Sequence, residues 1–312
     1  MQDHNRFWLG PSRFDVSGGH NIRIATYNLK NLFLCGEGPI KPEAEVRPLA
    51  RMLMQVAADL WVLQEVGSLA SLQRLNARLA RPYPYCAVLP GNSDRSIHLG
   101  VLARGAVSVT SHRHAPLRNT QGQLLLDHAT ASLSAEWMPL SWSRDLLRID
   151  ARIASRWLAV FGVHLKSRKQ RVAQEHAADE VRAAECRLLV QHIDAFQRKY
   201  PDRLVILAGD FNDVLASPAL VALQALQLYD PLGACLARRG GNPSTYWPKR
   251  RARIDHLLVC QRTRALVVDS SPHIHAHRMA QTASDHYPVS LDLALETDGW
   301  ADHSGSSSEA GE

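Results

Sequence analysis

The sequence predicts an α/β fold in which two packed β-sheets are flanked by helices. Three observations carry this expectation. Short runs rich in Val, Ile and Leu, each of strand length and many bounded by turn-forming residues, recur along the chain. Several alternate apolar and polar residues, as a sheet with one buried face requires. Only a few segments between them repeat apolar residues at helical spacing. Many strands with few helices bury their apolar faces as two sheets with helices outside.

Taken in order, residues 22–28 (IRIATYN) form the first expected strand. Residues 43–58 follow Pro42 and read as a helix, 60–64 as a strand, and 68–80 as a second helix with Ser68 as its N-cap. Strands are expected at 99–103, 146–153 and 157–163. In 146–153 the residues Leu147, Ile149, Ala151 and Ile153 alternate along one face. The longest expected helix is 169–198, where Ala177, Val181, Ala184, Leu188, Ile193 and Phe196 recur at helical spacing. Strands at 204–208, 254–259, 266–268 and 289–293 complete the set, and 108–142 carries no clear periodicity. Residues 1–20 are expected to be an irregular lead-in, 21–296 one domain without linker or repeat, and 297–312 a disordered, acidic Ser/Gly-rich tail.

The 312 residues are 46% hydrophobic and 21% charged, ordinary values that exclude a wholly disordered, collagen-like or coiled-coil chain. The start lacks a basic segment followed by an apolar run, and no run of about 18 apolar residues suggests a membrane span. The five cysteines are widely spaced and form no CxxC pair, which argues against a disulfide framework or thiolate zinc site. A reducing, cytoplasmic location is expected. Lys and Arg number 36 against 30 Asp and Glu, but four of those acids lie in residues 298–312, which hold no Lys or Arg. The remaining body carries 36 against 26, an excess of ten that favours polyanionic partners. No GxSxG, P-loop or GxGxxG motif is present. Nothing in the sequence bears on oligomeric state.

Polar residues gather where the apolar strands stop. Asn28 ends one strand, Glu65 another, and His164 a third, followed by Lys166 and Arg168. Asp210 and Asn212 end a fourth, Asp255 opens a fifth, and Asp285-His286 precede a sixth. Acidic groups just past buried strands can converge at one sheet edge, and oxygen-rich clusters suit Mg²⁺ or Mn²⁺. Taken singly, each of these residues reads equally as a turn former, a solvated strand end or a satisfied structural histidine.

In this order the segments TYNLKNLF (26–33), LQEV (63–66), VHLKSR (163–168), LAGDFND (207–213), RIDHLLV (253–259) and SDHYPV (284–289) resemble the endonuclease/exonuclease/phosphatase superfamily. The resemblance implies a DNase I-like, four-layer α-β-β-α sandwich of two mostly antiparallel sheets. It implies Glu65 as principal metal ligand with Asn28 and Asp285 beside it, and Mg²⁺, with Mn²⁺ as a substitute, as cofactor. It implies His286 as the catalytic histidine, Asp255 as the carboxylate that orients it, and Asp210 with Asn212 as the pair that positions water and phosphate. His164 matches a position that is histidine in the DNases and phosphatases of the family but tyrosine in its abasic-site endonucleases. The expected activity is metal-dependent phosphodiester hydrolysis, foremost by a nuclease. The alternatives are a phosphatase or phosphodiesterase on a small phosphorylated or lipid headgroup, and a catalytically inactive binding protein. Whether His286 or Asp210 is the general base stays open.

Two basic clusters adjoin these motifs. Lys166, Arg168, Lys169 and Arg171 follow His164, and Lys249, Arg250, Arg251 and Arg253 lead into Asp255. They are expected to clamp substrate phosphates, with Trp247 beside them as a base-stacking surface or as ordinary core. Arg95 precedes a strand and could reach the site, and Arg144 and Arg148 flank another strand start; the favoured reading of each is a surface or structural arginine. His273, His275 and His277 share one face of an extended chain and read as a polar loop rather than a zinc site.

Overall fold

The computed structural model describes residues 6–8, 21–36, 38–128, 137–153, 155–168, 176–248 and 252–294. The strands in chain order are β1 (Arg6–Trp8), β2 (Ile22–Leu32), β3 (Leu60–Val66), β4 (Tyr85–Leu89), β5 (His98–Ala103), β6 (Val107–Ser111), β7 (Leu126–His128), β8 (Trp137–Pro139), β9 (Leu146–Ile153), β10 (Arg156–His164), β11 (Leu204–Asp210), β12 (Asp255–Val259), β13 (His273–Ile274) and β14 (Val289–Leu293). The helices are α1 (Glu43–Val56), α2 (Leu69–Asn76), α3 (Ala178–Lys199), α4 (Pro231–Arg239), α5 (Gln261–Arg264) and α6 (Arg278–Ala283), with a 3-10 segment at Pro218–Leu226.

Two six-stranded sheets result. The first runs β1-β6-β9-β10-β11-β12 and the second β13-β14-β2-β3-β5-β4, while β7 and β8 pair separately. Within each six-stranded sheet one neighbouring pair is parallel, β10 with β11 and β2 with β3. A parallel pair needs a crossover, and each crossover carries a helix: α3 between β10 and β11, α1 between β2 and β3. The expected sandwich of two mostly antiparallel sheets between helices is the observed fold.

Period-two alternation separates the layers. On β10 the residues Leu158 and Val160 join the large core shared by the two sheets, while Ala159, Phe161 and Val163 pack outward with Cys186, Leu189, Ile193 and Phe196 of α3. On β11 Leu204, Ile206 and Ala208 face inward, and Val205 and Leu207 face α3. The sheets approach closely where Gly162 opposes Val62: a Cβ at position 162 would lie 2.8 Å from the Val62 side chain. On the far side α1 buries Val46, Leu49, Met52, Leu53 and Val56.

Differences from expectation are local. Ser68 caps α2 by accepting the Ser71 amide at 3.0 Å, but that helix ends at Asn76 rather than 80. Helix α3 begins at Ala178, and 169–175 lie outside the described residues. Residues 266–268 form no strand; Val267 makes a single bridge to Leu293. Within the expected lead-in, Arg6–Trp8 pairs with β6 at the edge of the first sheet. The tail expected from residue 297 lies outside the described residues.

Candidate active site

The inward rows of the central strands run apolar and then stop at a polar residue. Leu204, Ile206 and Ala208 lead to Asp210; Leu158, Val160 and Gly162 lead to His164; Ile24 and Thr26 lead to Asn28. In both parallel pairs the partner strands run the same way, so their ends meet. His164 pairs in register with Asp210, and Asn28 with Gln64, next to Glu65. Antiparallel β12 places Asp255 opposite Asp210. All these ends lie at one mouth of the layer between the sheets.

Asp210 is the hub. Its Oδ2 accepts Asn28 Nδ2 at 2.9 Å and lies 3.5 Å from His164 Nε2 and 3.8 Å from His286 Nε2. Its Oδ1 accepts the Asn212 amide at 2.8 Å. His286 Nδ1 hydrogen-bonds Asp255 at 2.8 and 3.1 Å to the two oxygens, which fixes the ring and turns Nε2 toward Asp210. The Thr245 hydroxyl accepts the Ile254 and Asp255 amides, each at 3.0 Å, and anchors the start of β12. Ser284 Oγ donates to Asn28 O at 2.7 Å and accepts the His286 amide at 3.2 Å, tying the two strands together. The Tyr246 ring packs on that of His286, with centroids 5.1 Å apart.

Glu65 reaches the site through a backbone irregularity. The registers of β2 and β3 shift between Asn28 and Leu32 and between Leu63 and Val66. Lys30, Asn31 and Glu65 hold φ of 50°, 55° and 59° there, and Asn212 has φ 53° on the facing sheet. Such left-handed backbone is unfavourable outside glycine and clusters at functional sites, where bulges re-aim side chains. Gly209 supplies φ 148° just before Asp210, where a Cβ would collide with Val163 O. The Asn31 amide donates to Glu65 Oε2 at 2.9 Å, and Asn28 Oδ1 accepts the Lys30 amide at 2.9 Å.

The charges follow from this enclosure. Burial alone would push the His286 imidazole down. The charges of Asp255 and Asp210, the hydrogen bond that His286 donates to Asp255 and the charge of Asp285 outweigh it and raise the ring to about 10. Burial raises the Asp210 carboxyl, with Asp255 adding to it and His286, Asn28 and the Asn212 amide opposing. Burial, then the Arg144 charge, then His286 and Arg95 hold His164 well below the usual histidine range, so it is neutral. The site therefore pairs an imidazolium with a neutral imidazole around a carboxyl group.

The site's donors also fit a divalent ion. Glu65 and Asp285 carry carboxylate oxygens, and Asn28, whose Nδ2 is given to Asp210, turns Oδ1 to the Lys30 amide and keeps a second lone pair there. Among the described residues Asp210, Asp255 and His286 also bring ligand atoms within 4.8 Å of one another. The Asp255–His286 bond occupies that second group internally, which suits it to proton handling.

The profile of the Endonuclease/Exonuclease/phosphatase family matches residues 25–286, a span that begins within β2 and ends at His286. The chain belongs to that family. Members of the endonuclease/exonuclease/phosphatase family are phosphoester hydrolases, generally dependent on a divalent metal. No curated protein matches the chain in sequence. Solved structures share its fold. The endonuclease/exonuclease/phosphatase from Beutenbergia cavernae DSM 12333 is 22% identical, with 88% of this chain and 72% of that one covered and a TM-score of 0.56. The human Nocturnin catalytic domain with bound sulfate anion is 16% identical over 87% of this chain and 93% of that one, with a TM-score of 0.55. D. rerio TDP2 complexed with single strand DNA product is 18% identical over 88% and 99%, with a TM-score of 0.56. At these identities the likeness is one of fold.

Of the residues singled out in the sequence, the structure brings Asn28, Glu65, His164, Asp210, Asn212, Asp255, Asp285 and His286 to this mouth. Asn212 Nδ2 gives one N–H to Leu165 O at 2.9 Å. Lys166 is fixed by its backbone, its amide donating to Glu185 at 2.6 Å and its carbonyl accepting from Arg182 at 3.0 Å. Arg168 pairs with Asp213, which Arg182 also holds. Trp247 is half-buried against the core and donates Nε1 to Ser284 O at 2.9 Å, so it buttresses the segment leading to His286. Lys249, Arg250 and Arg251 lie outside the described residues. His275 hydrogen-bonds Ser290 at 2.9 Å and His277 caps α6 through the Met279 amide, in keeping with a structural reading of that triplet.

Two arginines read as surface or structural belong to the site. Arg95 lies 3.5 Å from Glu65 and also donates to Asn31. Arg144 is buried, donates to Leu165 O at 2.9 Å, and sits close enough to Glu65 and Asp210 to feel both charges. Each precedes a strand that begins at the same mouth, antiparallel to one that ends there, a signal that needs the sheet order before it can be used.

Proposed function

We propose that the protein is a metal-dependent phosphodiester hydrolase that cleaves nucleic acid by attack of an activated water. The observation that carries this reading is the His286 imidazole, fixed by Asp255 at 2.8 Å and aimed at Asp210 from 3.8 Å, where strand ends of two sheets converge. Glu65, Asn28 and Asp285 would hold Mg²⁺ or Mn²⁺, which neutralises phosphoryl charge when bound. Asp210, kept in place by Asn28 and the Asn212 amide, accepts the proton of the attacking water. His286 stays an imidazolium and donates to a phosphoryl oxygen, its charge balanced by Asp255. Asn212 has a second N–H for the same phosphate, and neutral His164 steadies Asp210 without adding charge.

Nucleic acid is favoured over a small phosphoester by the excess of ten basic residues in the body and by the single strand DNA product held by D. rerio TDP2. Lys166, Arg168, Lys249, Arg250 and Arg251 are the basic residues proposed to hold substrate phosphates. The free cysteines among the described residues suit a reducing compartment, the cytoplasm. The deciding experiment is a panel of DNA, RNA, inositol phosphate and sphingomyelin with Mg²⁺, Mn²⁺ or EDTA. Cleavage of a polynucleotide that EDTA abolishes is expected. Turnover of a small phosphoester alone would replace the nuclease reading, and no cleavage of any phosphoester would overturn both.

A further inference from the structure

Glu65 presents two oxygens in unlike surroundings. Oε2 accepts the Asn31 amide, a bond the backbone fixes at 2.9 Å. Oε1 has one hydrogen-bonding partner among the described residues, Arg95 Nη1 at 3.5 Å. The other arm of the same guanidinium donates to Asn31 Oδ1, so Arg95 spans the residue that holds Glu65 and the residue that is held. Arg95 is carried by the loop between β4 and β5, next to Ser96 with φ 50°, and its side chain is 24% exposed. Arg144 offers the contrast: it is buried and bonded to Leu165 O. The site thus has one fixed guanidinium and one with a route to solvent, and the second stands on the carboxylate oxygen left open.

We propose that Arg95 is an exchangeable counter-cation: it occupies Glu65 Oε1 while the site lacks a divalent ion, competes with that ion for the oxygen, and is released to the substrate phosphate on exchange. This rests on the proposed role of Glu65 as a metal ligand. Two positive groups cannot share one carboxylate oxygen without mutual repulsion. Displacing Arg95 therefore lowers metal affinity in the substrate-free protein. A phosphate that captures the freed guanidinium raises it again, and by reciprocity the metal raises affinity for phosphate. Arg95 becomes the device that couples the two ligands, so that metal is held firmly only together with an anionic substrate.

Mn²⁺ binding, followed through the electron paramagnetic resonance signal of the free ion, tests this without turnover. The proteins are wild type, Arg95→Ala, Arg95→Gln and Glu65→Gln, each with and without dimethyl phosphate. Without the ester, both Arg95 variants are expected to bind Mn²⁺ about fivefold more tightly than wild type. Dimethyl phosphate is expected to tighten Mn²⁺ in wild type and to do so much less in either variant. Equal or weaker Mn²⁺ affinity in folded Arg95→Gln, judged by its thermal melt, overturns the counter-cation. Mn²⁺ affinity unchanged by Glu65→Gln overturns the ligand role beneath it, a result distinguishable because it leaves the Arg95 comparison intact. No Mn²⁺ binding by wild type overturns both.

Discussion

At the scale of single residues, the site is a set of ordinary side chains made unusual by enclosure. His286 is charged only because Asp255, Asp210 and Asp285 together outweigh its burial. In the proposed reaction His286 as imidazolium donor is lost when pH rises through its own titration, and Asp210 as base is lost when pH falls through its own. The rate profile is therefore expected to be a bell with Asp210 on the acid side and His286 on the alkaline side. Asp255→Asn removes the first carboxylate that raises His286, so the alkaline limb should move to lower pH and kcat should fall roughly a hundredfold. Measuring kcat/KM against pH for both proteins checks this, and an unmoved alkaline limb would show that His286 is not the group. Asn28, Glu65, His164, Asp210, Asp255 and His286 stand out in the sequence because they lie at the ends or starts of apolar strands, and their expected roles come from the resemblance of the ordered segments to a family rather than from any one of them. Arg95 and Arg144 do not, because an arginine before a strand is common and only the neighbouring strand, distant in sequence, says what it faces.

Strands and helices add their own constraints. Asp145 stands just before β9, where its carboxylate accepts Ser111 Oγ at 2.6 Å and the His112 amide at 2.9 Å. Burial still raises its carboxyl to about 7, against hydrogen bonds to Ser111 and the His112 and Leu146 amides that lower it. The folded chain thus holds a proton that the unfolded chain releases near pH 4. This group's contribution falls as pH rises from about 4 through 7 and stays low above. Asp145→Asn is expected to narrow the gap between melting temperatures at pH 5 and pH 8, and an undiminished gap would rule the group out. Element boundaries were legible where a face is uniform: β9 and β14 span the residues their alternation marks. They were less so at the site, where β2 runs on to Leu32 through residues of positive φ that no periodicity announces. The run 266–268 looked like a strand and is not one, because it meets β14 at a single bridge beyond the sheet's edge. Edge strand β4 and the short strand β6 are hidden for the opposite reason, since β4 is half-buried along most of its length and β6 interleaves Ser and Thr with its apolar residues, which blurs the pattern in both.

For the whole molecule, charge and packing set what can be held at the mouth. With the excess of ten positive charges in the body, binding to single-stranded DNA should weaken steeply with salt. A titration from about 50 to 200 mM salt should lower affinity roughly three-hundredfold if six phosphates of a single strand are contacted, and more if the number is larger. A flat response would point to a ligand with one or two phosphates. The two sheets also divide the chemistry. Asn28, Glu65, Asp285 and His286 come from the second sheet, and His164, Asp210, Asn212 and Asp255 from the first. The hydrogen bond from Asn28 to Asp210 and the pair of His286 with Asp255 cross between them. Gly162→Ala, whose new methyl would press on Val62, is expected to lower kcat more than it lowers the melting temperature. Val62→Ala in the same chain should restore part of that loss, a coupling that additive effects of the two changes would disprove.

The close contact of Gly162 with Val62 then has a meaning beyond packing. The apolar layer between the sheets works as a spacer gauge: side chains far below the mouth fix how far apart the two sheets stand, and so how far the groups on one sheet lie from those on the other.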